Sequence, residues 1–279
     1  TYVQDHFKPR KWLTILPGIR WDVGTVRATN SEVATTAHGF GPRLSVIADV
    51  TGDQKTILQV SYGRTTEMPT LGGVSSYDSS RRNLATVEIY NPQTRRFEFL
   101  QTTGGPQGTR LNFSRTSASA DEILLSGRRE LAEGVLARVD YTYRYLRRQF
   151  EDAEVNAIMD PTGTRTVGFA NGVPTRVSEF GFNPKSFGQY SGVDFILEAR
   201  SKRLELQGGY TLSQSWGTAG SAAFDNPRFE PFYHSYQSGV DTRHQIKSST
   251  TVALFDGFTL GVILNWRSGV ALSKAYPIN

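Results

Sequence analysis

The sequence predicts an all-β chain: a segment of an antiparallel transmembrane β-barrel with about twelve meandering strands. Three observations carry this. Long arms alternate apolar and polar residues with a period of two. Tight polar turns join those arms in pairs. Between the pairs, the connections are long. In Gly188 to Gly217, Val193, Phe195, Leu197 and Ala199 fall on one side and Asp194, Glu198 and Arg200 on the other, with Ile196 the one apolar intruder. Ser201-Lys202-Arg203 turns the chain. Leu204, Leu206, Tyr210 and Leu212 then resume the period against Glu205, Gln207, Thr211 and Ser213. Such arms exceed the roughly 5–6 residues of an ordinary strand and match the roughly 9–11 residues of a transmembrane one.

Composition agrees. No apolar run approaches the roughly 18 residues of a membrane-crossing helix, and a mean hydropathy of -0.39 suits strands that are only half apolar. Aromatics at 11% and 27 glycines fit interfacial girdles and many turns. The net charge of +5 is spread along the chain without any nucleic-acid-binding motif, so a nucleic-acid partner is not expected. The chain has no cysteine, which fits any compartment.

Taken in order, Thr1 to Lys8 reads as a strand, Pro9-Arg10-Lys11 as its turn and Trp12 to Asp22 as the return. Pro17 donates no ladder hydrogen bond and implies a local irregularity. Val23 to Pro42 loses the period and reads as a loop. Arg43 to Val50 and Lys55 to Arg64 form a hairpin about Thr51 to Gln54, and Thr65 to about Asn83 is loop. A weaker hairpin follows, Leu84 to Tyr90 with Arg96 to Leu100, then the loop Gln101 to Ser117. Ala120 to Arg129 and Val135 to Arg147 come next, turned at Glu130 to Gly134; in the second arm Ala137, Val139, Tyr141, Tyr143 and Tyr145 oppose Arg138, Asp140, Thr142 and Arg144. Arg148 to Phe187 and Thr218 to Asp241 read as long loops, and Arg243 to Phe255 with Phe258 to Gly269 as the last hairpin. Short turns alternating with long loops are the arrangement of periplasmic turns and extracellular loops.

Several segments then resemble TonB-dependent outer-membrane receptors, nearest to the Oar-like group. Tyr2 to Asp22 (YVQDHFKPRKWLTILPGIRWD) is similar to that group's VQD…W…L.PG.R.D hairpin. Gly41 to Arg64 (GPRLSVIADVTGDQKTILQVSYGR), Ala120 to Arg144 (ADEILLSGRRELAEGVLARVDYTYR) and the hairpin from Tyr190 to Gly217 resemble further hairpins in the same order. Asp241 to Leu272 resembles its D.RH…SG segment. The resemblance implies an internal stretch of a larger barrel, set in outer-membrane lipid and lipopolysaccharide. It also implies a plug outside this chain, TonB with its inner-membrane motor acting through that plug, and uptake of an unidentified extracellular solute. The alternatives are a self-contained channel or lipolytic barrel of about twelve strands, and a soluble β-sandwich.

No catalytic residue, metal site or cofactor is expected. His6, His38, His234 and His244 are not at ligand spacing. There is no Gly-x-Ser-x-Gly elbow, and Gly39-Phe40-Gly41 is no dinucleotide loop. Asp49 to Asp53 reads as a tight turn ahead of a calcium loop. The expected solute contacts are Phe229, Phe232, Tyr233 and Tyr236 in an aromatic loop. The polar row Arg138, Asp140, Arg144, Asp194, Glu198 and Arg200 is expected to face the lumen and plug, with opposite charges paired between strands.

Overall fold

A computed structural model gives the structure; it describes residues 1–27, 33–68, 85–103, 109–112, 117–162, 166–170, 177–182, 186–218, 234–236 and 241–270. Nineteen strands are described: β1 (Tyr2–Gln4), β2 (Phe7–Arg10), β3 (Leu13–Arg27), β4 (Val33–Asp49), β5 (Thr56–Thr66), β6 (Ala85–Asn91), β7 (Arg96–Thr103), β8 (Thr109–Asn112), β9 (Ser119–Ala132), β10 (Val135–Arg147), β11 (Phe150–Glu154), β12 (Ala157–Met159), β13 (Thr166–Phe169), β14 (Ser178–Phe182), β15 (Phe187–Arg200), β16 (Leu204–Thr218), β17 (His234–Tyr236), β18 (His244–Phe255) and β19 (Phe258–Arg267). Among the described residues no helix is long and apolar enough to cross a membrane.

One twelve-stranded sheet forms the wall, in the order β1-β3-β4-β5-β9-β10-β15-β16-β18-β19, with β2 beside β3 and β17 beside β16. The number of strands agrees with the sequence reading, but two of the members differ. The hairpin at Leu84 to Leu100 forms, as β6 and β7, but as a separate two-stranded sheet. Its weak alternation goes with that separation: among the described residues it pairs with no wall strand and so need not match the wall's two faces. The first strand is broken at Asp5–His6, opposite Pro17, which accepts a hydrogen bond from Asp5 N at 3.0 Å and has no N–H to return. Pro9 and Arg10 stay in β2, so that turn falls at Lys11–Trp12 rather than Pro9–Lys11.

The loop expected at Val23 to Pro42 is instead the upper half of a long hairpin. β3 and β4 pair from Leu13↔Ala48 to Arg27↔Val33. Small polar residues such as Thr25 and Thr36, whose hydroxyls lie 3.3 Å apart, hide the period without ending the ladder. The loop at Arg148 to Phe187 likewise holds structure, in β11 to β14. Its anchor is Glu154, 7% exposed, whose Oε1 accepts from the backbone N–H groups of Asn156, Ala157 and Val177 at 2.8, 2.9 and 3.0 Å.

Register puts the apolar residues on one face. Leu58, Gly127, Val139, Phe195, Tyr210, Ile246 and Trp266 line up across seven strands. The next row towards the long connections runs Val46, Val60, Leu125, Tyr141, Val193 and Leu212. These side chains are in the open: Val60 is 51% exposed and Phe195 48%. The buried hydrophobic residues are only Ala37, Ala118 and Val177 among the described residues. A sandwich would hide that face against a second sheet, so the soluble alternative fails. Tyr2 to Lys8 makes no ladder with Phe258 to Gly269; among the described residues β1 pairs only with β3, and β19 only with β18. The barrel is not closed.

At the short-turn end, Asp49 accepts from Gly52 N and Gln54 N, both at 2.9 Å. Thr51 Oγ1 donates to Asp53, which holds that carboxyl below its usual range. The neighbouring hairpins touch at Gly134, where φ is +72° and an added Cβ would lie 2.3 Å from Arg200 O. Gly134→Val is expected to cost ~2 kcal/mol of strain, read as a lower thermal midpoint of the full-length protein in detergent. Cysteines placed singly at Val139, Tyr141, Asp140 and Thr142, and labelled with a fluorophore, should be quenched by brominated lipid at the first two positions and not at the last two. Equal quenching at all four would contradict the two-faced wall.

Candidate functional site

The six polar residues expected in the lumen all lie on the face opposite the apolar rows, but they are spread over the height of the wall. Glu198 and Arg200 sit at the short-turn end, where with Lys55, Arg128 and Glu130 they line a hollow of about 500 Å³. Arg138, Asp140 and Asp194 are at mid-height. Arg144 is at the long-loop end.

Their pairing differs from the expected exchange of opposite charges between strands. Only Arg144 does so, with its Nη2 2.5 Å from Glu122 Oε2 on β9. Arg138 Nε lies 3.0 Å from Asp140 Oδ2 on its own strand, out of line for a hydrogen bond. Asp140 stands directly across from Asp194, a like charge. Each is held by a hydroxyl on its far side: Ser126 Oγ donates to Asp140 at 2.5 Å, and Thr211 Oγ1 donates to Asp194. The physical reason is period and register. Alternation fixes which face a side chain takes, but a register one pair away from Arg-opposite-Asp brings two carboxylates together.

A second polar cluster was not foreseen, and it lies on the apolar face. Arg64 Nε and Nη2 donate to the two oxygens of Asp121 at 2.7 and 3.0 Å, and Tyr62 Oη donates to Asp121 at 2.7 Å. Arg147 Nη2 lies 3.3 Å from the same carboxylate, and its guanidinium sits 5.1 Å over the Tyr145 ring. Tyr145 stacks on Phe187, which tilts against Trp216. The signal was present in the sequence: Arg64, Asp121 and Arg147 break the alternation on its apolar parity at the ends of three adjacent arms.

Phe229, Phe232 and Tyr233 lie outside the described residues. Tyr236 belongs to β17, whose backbone pairs with β16 at Trp216↔Tyr236. His244 Nδ1 is 2.8 Å from Tyr210 Oη and the two rings stack, so this histidine ties β18 to β16. Among the described residues no three His, Cys, Asp or Glu side chains gather where they could hold a metal ion.

A wall of long antiparallel strands, apolar on one face and polar on the other, has the fold of a stretch of outer-membrane β-barrel. Solved structures bear this out. The outer membrane transporter YddB from Escherichia coli matches with a TM-score of 0.64 at 12% identity, over 97% of this chain and 33% of that one. The FrpB iron transporter from Neisseria meningitidis matches with a TM-score of 0.60 at 11% identity, over 93% and 31%. A variant of the ferric enterobactin receptor PfeA from Pseudomonas aeruginosa matches with a TM-score of 0.57 at 12% identity, over 95% and 31%. The chain thus spans about a third of the length of these structures. No protein-family model and no curated protein matches the sequence.

Like charges directly opposite each other in a ladder destabilise it by roughly 0.2–1 kcal/mol. Asp194→Asn keeps an acceptor for Thr211 and removes one of the two facing charges. It should therefore raise the thermal midpoint of the full-length barrel slightly, whereas Arg138→Ala, which strips the pair of its cation, should lower it.

Proposed function

We propose that the chain is part of the barrel wall of a TonB-dependent outer-membrane receptor of the Oar-like group. Such a receptor takes up a solute from outside the cell without an enzymatic step. The observation that carries this reading is the open wall. Ten strands run side by side, counting β1 and β2 as one interrupted strand, with one apolar face and, among the described residues, an unpaired edge at each end. Unpaired backbone groups are not tolerated in hydrocarbon, so further strands must complete the ring. The coverage of about a third of larger transporter barrels supports the same reading.

In that setting the apolar face meets outer-membrane lipid and lipopolysaccharide, and the long connections face the cell exterior. Arg138, Asp140, Arg144, Asp194, Glu198 and Arg200 face a plug, and TonB with its inner-membrane motor pulls on that plug. Phe229, Phe232, Tyr233 and Tyr236, in the stretch that follows β16 in sequence, contact the solute. A self-contained channel or lipolytic barrel would need its first and last wall strands to pair, and among the described residues they do not.

Planar-bilayer recording and cross-linking on the full-length protein separate the readings. A plugged receptor should give no stable ohmic pore, release no fatty acid from phospholipid, and cross-link to TonB in cells. A steady open conductance without TonB cross-links would overturn the proposal in favour of a passive channel.

A further inference from the structure

On the apolar face, the rows change character towards the long-loop end. Val60 and Leu125 are followed by Tyr62, Ile123 and Tyr143, then by Arg64, Asp121 and Tyr145, then by Arg147. Aliphatic, aromatic and charged rows in that sequence follow the order of hydrocarbon, interface and headgroups. The charged rows surround an open hollow of about 720 Å³.

We propose that this ledge binds the phosphate of an anionic glycolipid of the outer leaflet, with the acyl chains running down over Ile123 and Leu125. The inference rests on the barrel reading, which makes this face the lipid side. Three arginines and one carboxylate line the hollow: Arg64, Arg147 and Arg148 against Asp121. The balance is therefore two positive charges facing a zone of phosphates. Arg64 is spent on Asp121, which it grips with two hydrogen bonds. Arg147 keeps one longer contact to that carboxylate, and its side chain is 49% exposed. Arg148 has no side-chain hydrogen bond or ion pair among the described residues.

The backbone explains why two successive arginines serve one hollow. Neighbours along a strand point to opposite faces. At Arg148 φ is +55°, which breaks the alternation just past the end of β10, and both Arg147 and Arg148 line the cavity. The kink is held by Arg148 N donating to Ser186 O at 2.8 Å. The flat Tyr145 ring under the Arg147 guanidinium fixes the height of that cation at the top of the aromatic belt. An arginine fork offers paired donors to a phosphate.

The test uses the full-length protein purified from outer membranes and stripped of lipid in detergent. Binding of bisphosphorylated lipid A, dephosphorylated lipid A and inorganic phosphate is read by native mass spectrometry and by the shift in thermal midpoint. The bisphosphorylated form should bind at least tenfold tighter than the dephosphorylated one. Arg147→Ala with Arg148→Ala should erase that ratio, and the double Lys variant should keep most of it. Equal binding of the two lipid A forms by the wild type would overturn the proposal. So would inorganic phosphate binding as tightly as lipid A, which would mark a soluble-anion site. If the double Ala variant fails to assemble, the wild-type comparison of the two lipid A forms still decides. A protein absent from the outer-membrane fraction defeats the barrel reading and this site together. A protein embedded there but indifferent to the phosphates defeats the site alone.

Discussion

The structure depends on one constraint: a backbone that crosses hydrocarbon must satisfy its N–H and C=O groups within the protein. In this chain the partners are lateral. On the path from β3 to β18 each strand has a neighbour on both sides over part of its length, so the backbone finds its partners without an interior. Packing against an interior core is then unnecessary. Apolar side chains go to the outer face, where a soluble protein would bear a cost for them, and Val262 on the edge strand β19 is 52% exposed. The same constraint makes the two edges the places where this wall is incomplete.

The ends of the strands obey different rules from their middles. At the short-turn end the chain reverses within a few residues, so side chains replace the lost ladder: both oxygens of Asp49 accept from its own turn. Close approach of successive hairpins leaves room only for hydrogen at Gly134. At the long-loop end the connections build small sheets of their own, and the buried Glu154 gathers three backbone donors that no ladder reaches. Loops of this kind are ordered by polar contacts, which carry no hydrophobic period.

That difference explains what the sequence made legible. Alternation alone identified the apolar faces of β10, β15 and β16 and put Arg138, Asp194 and Glu198 on the opposite face, because side-chain direction in a strand is fixed by parity. It missed the upper halves of β3 and β4, since Thr25, Thr35 and Thr36 pair through their backbones with no apolar face to mark them. It placed Leu84 to Leu100 in the wall because a hairpin signal does not say which sheet the hairpin joins. It also missed the facing pair Asp140 and Asp194, because register between strands distant in sequence is set by ladder geometry rather than by any local pattern.

The two aspartates of the β9–β10 hairpin show how surroundings decide the chemistry that a carboxylate requires. Asp121 lies on the parity of the apolar rows, among groups that solvate a charge poorly, so an uncompensated carboxylate is expensive there. It collects the Tyr62 hydroxyl, two guanidinium hydrogen bonds from Arg64, and the Arg147 cation. Asp140 lies on the opposite parity, with the polar row. There one serine hydroxyl and one poorly aligned arginine suffice, even with Asp194 directly across from it. High dielectric weakens the repulsion between those two carboxylates as it weakens any exposed pair. The count of partners therefore differs between the two faces: three side chains gather on Asp121 on the apolar face and two on Asp140 on the polar one.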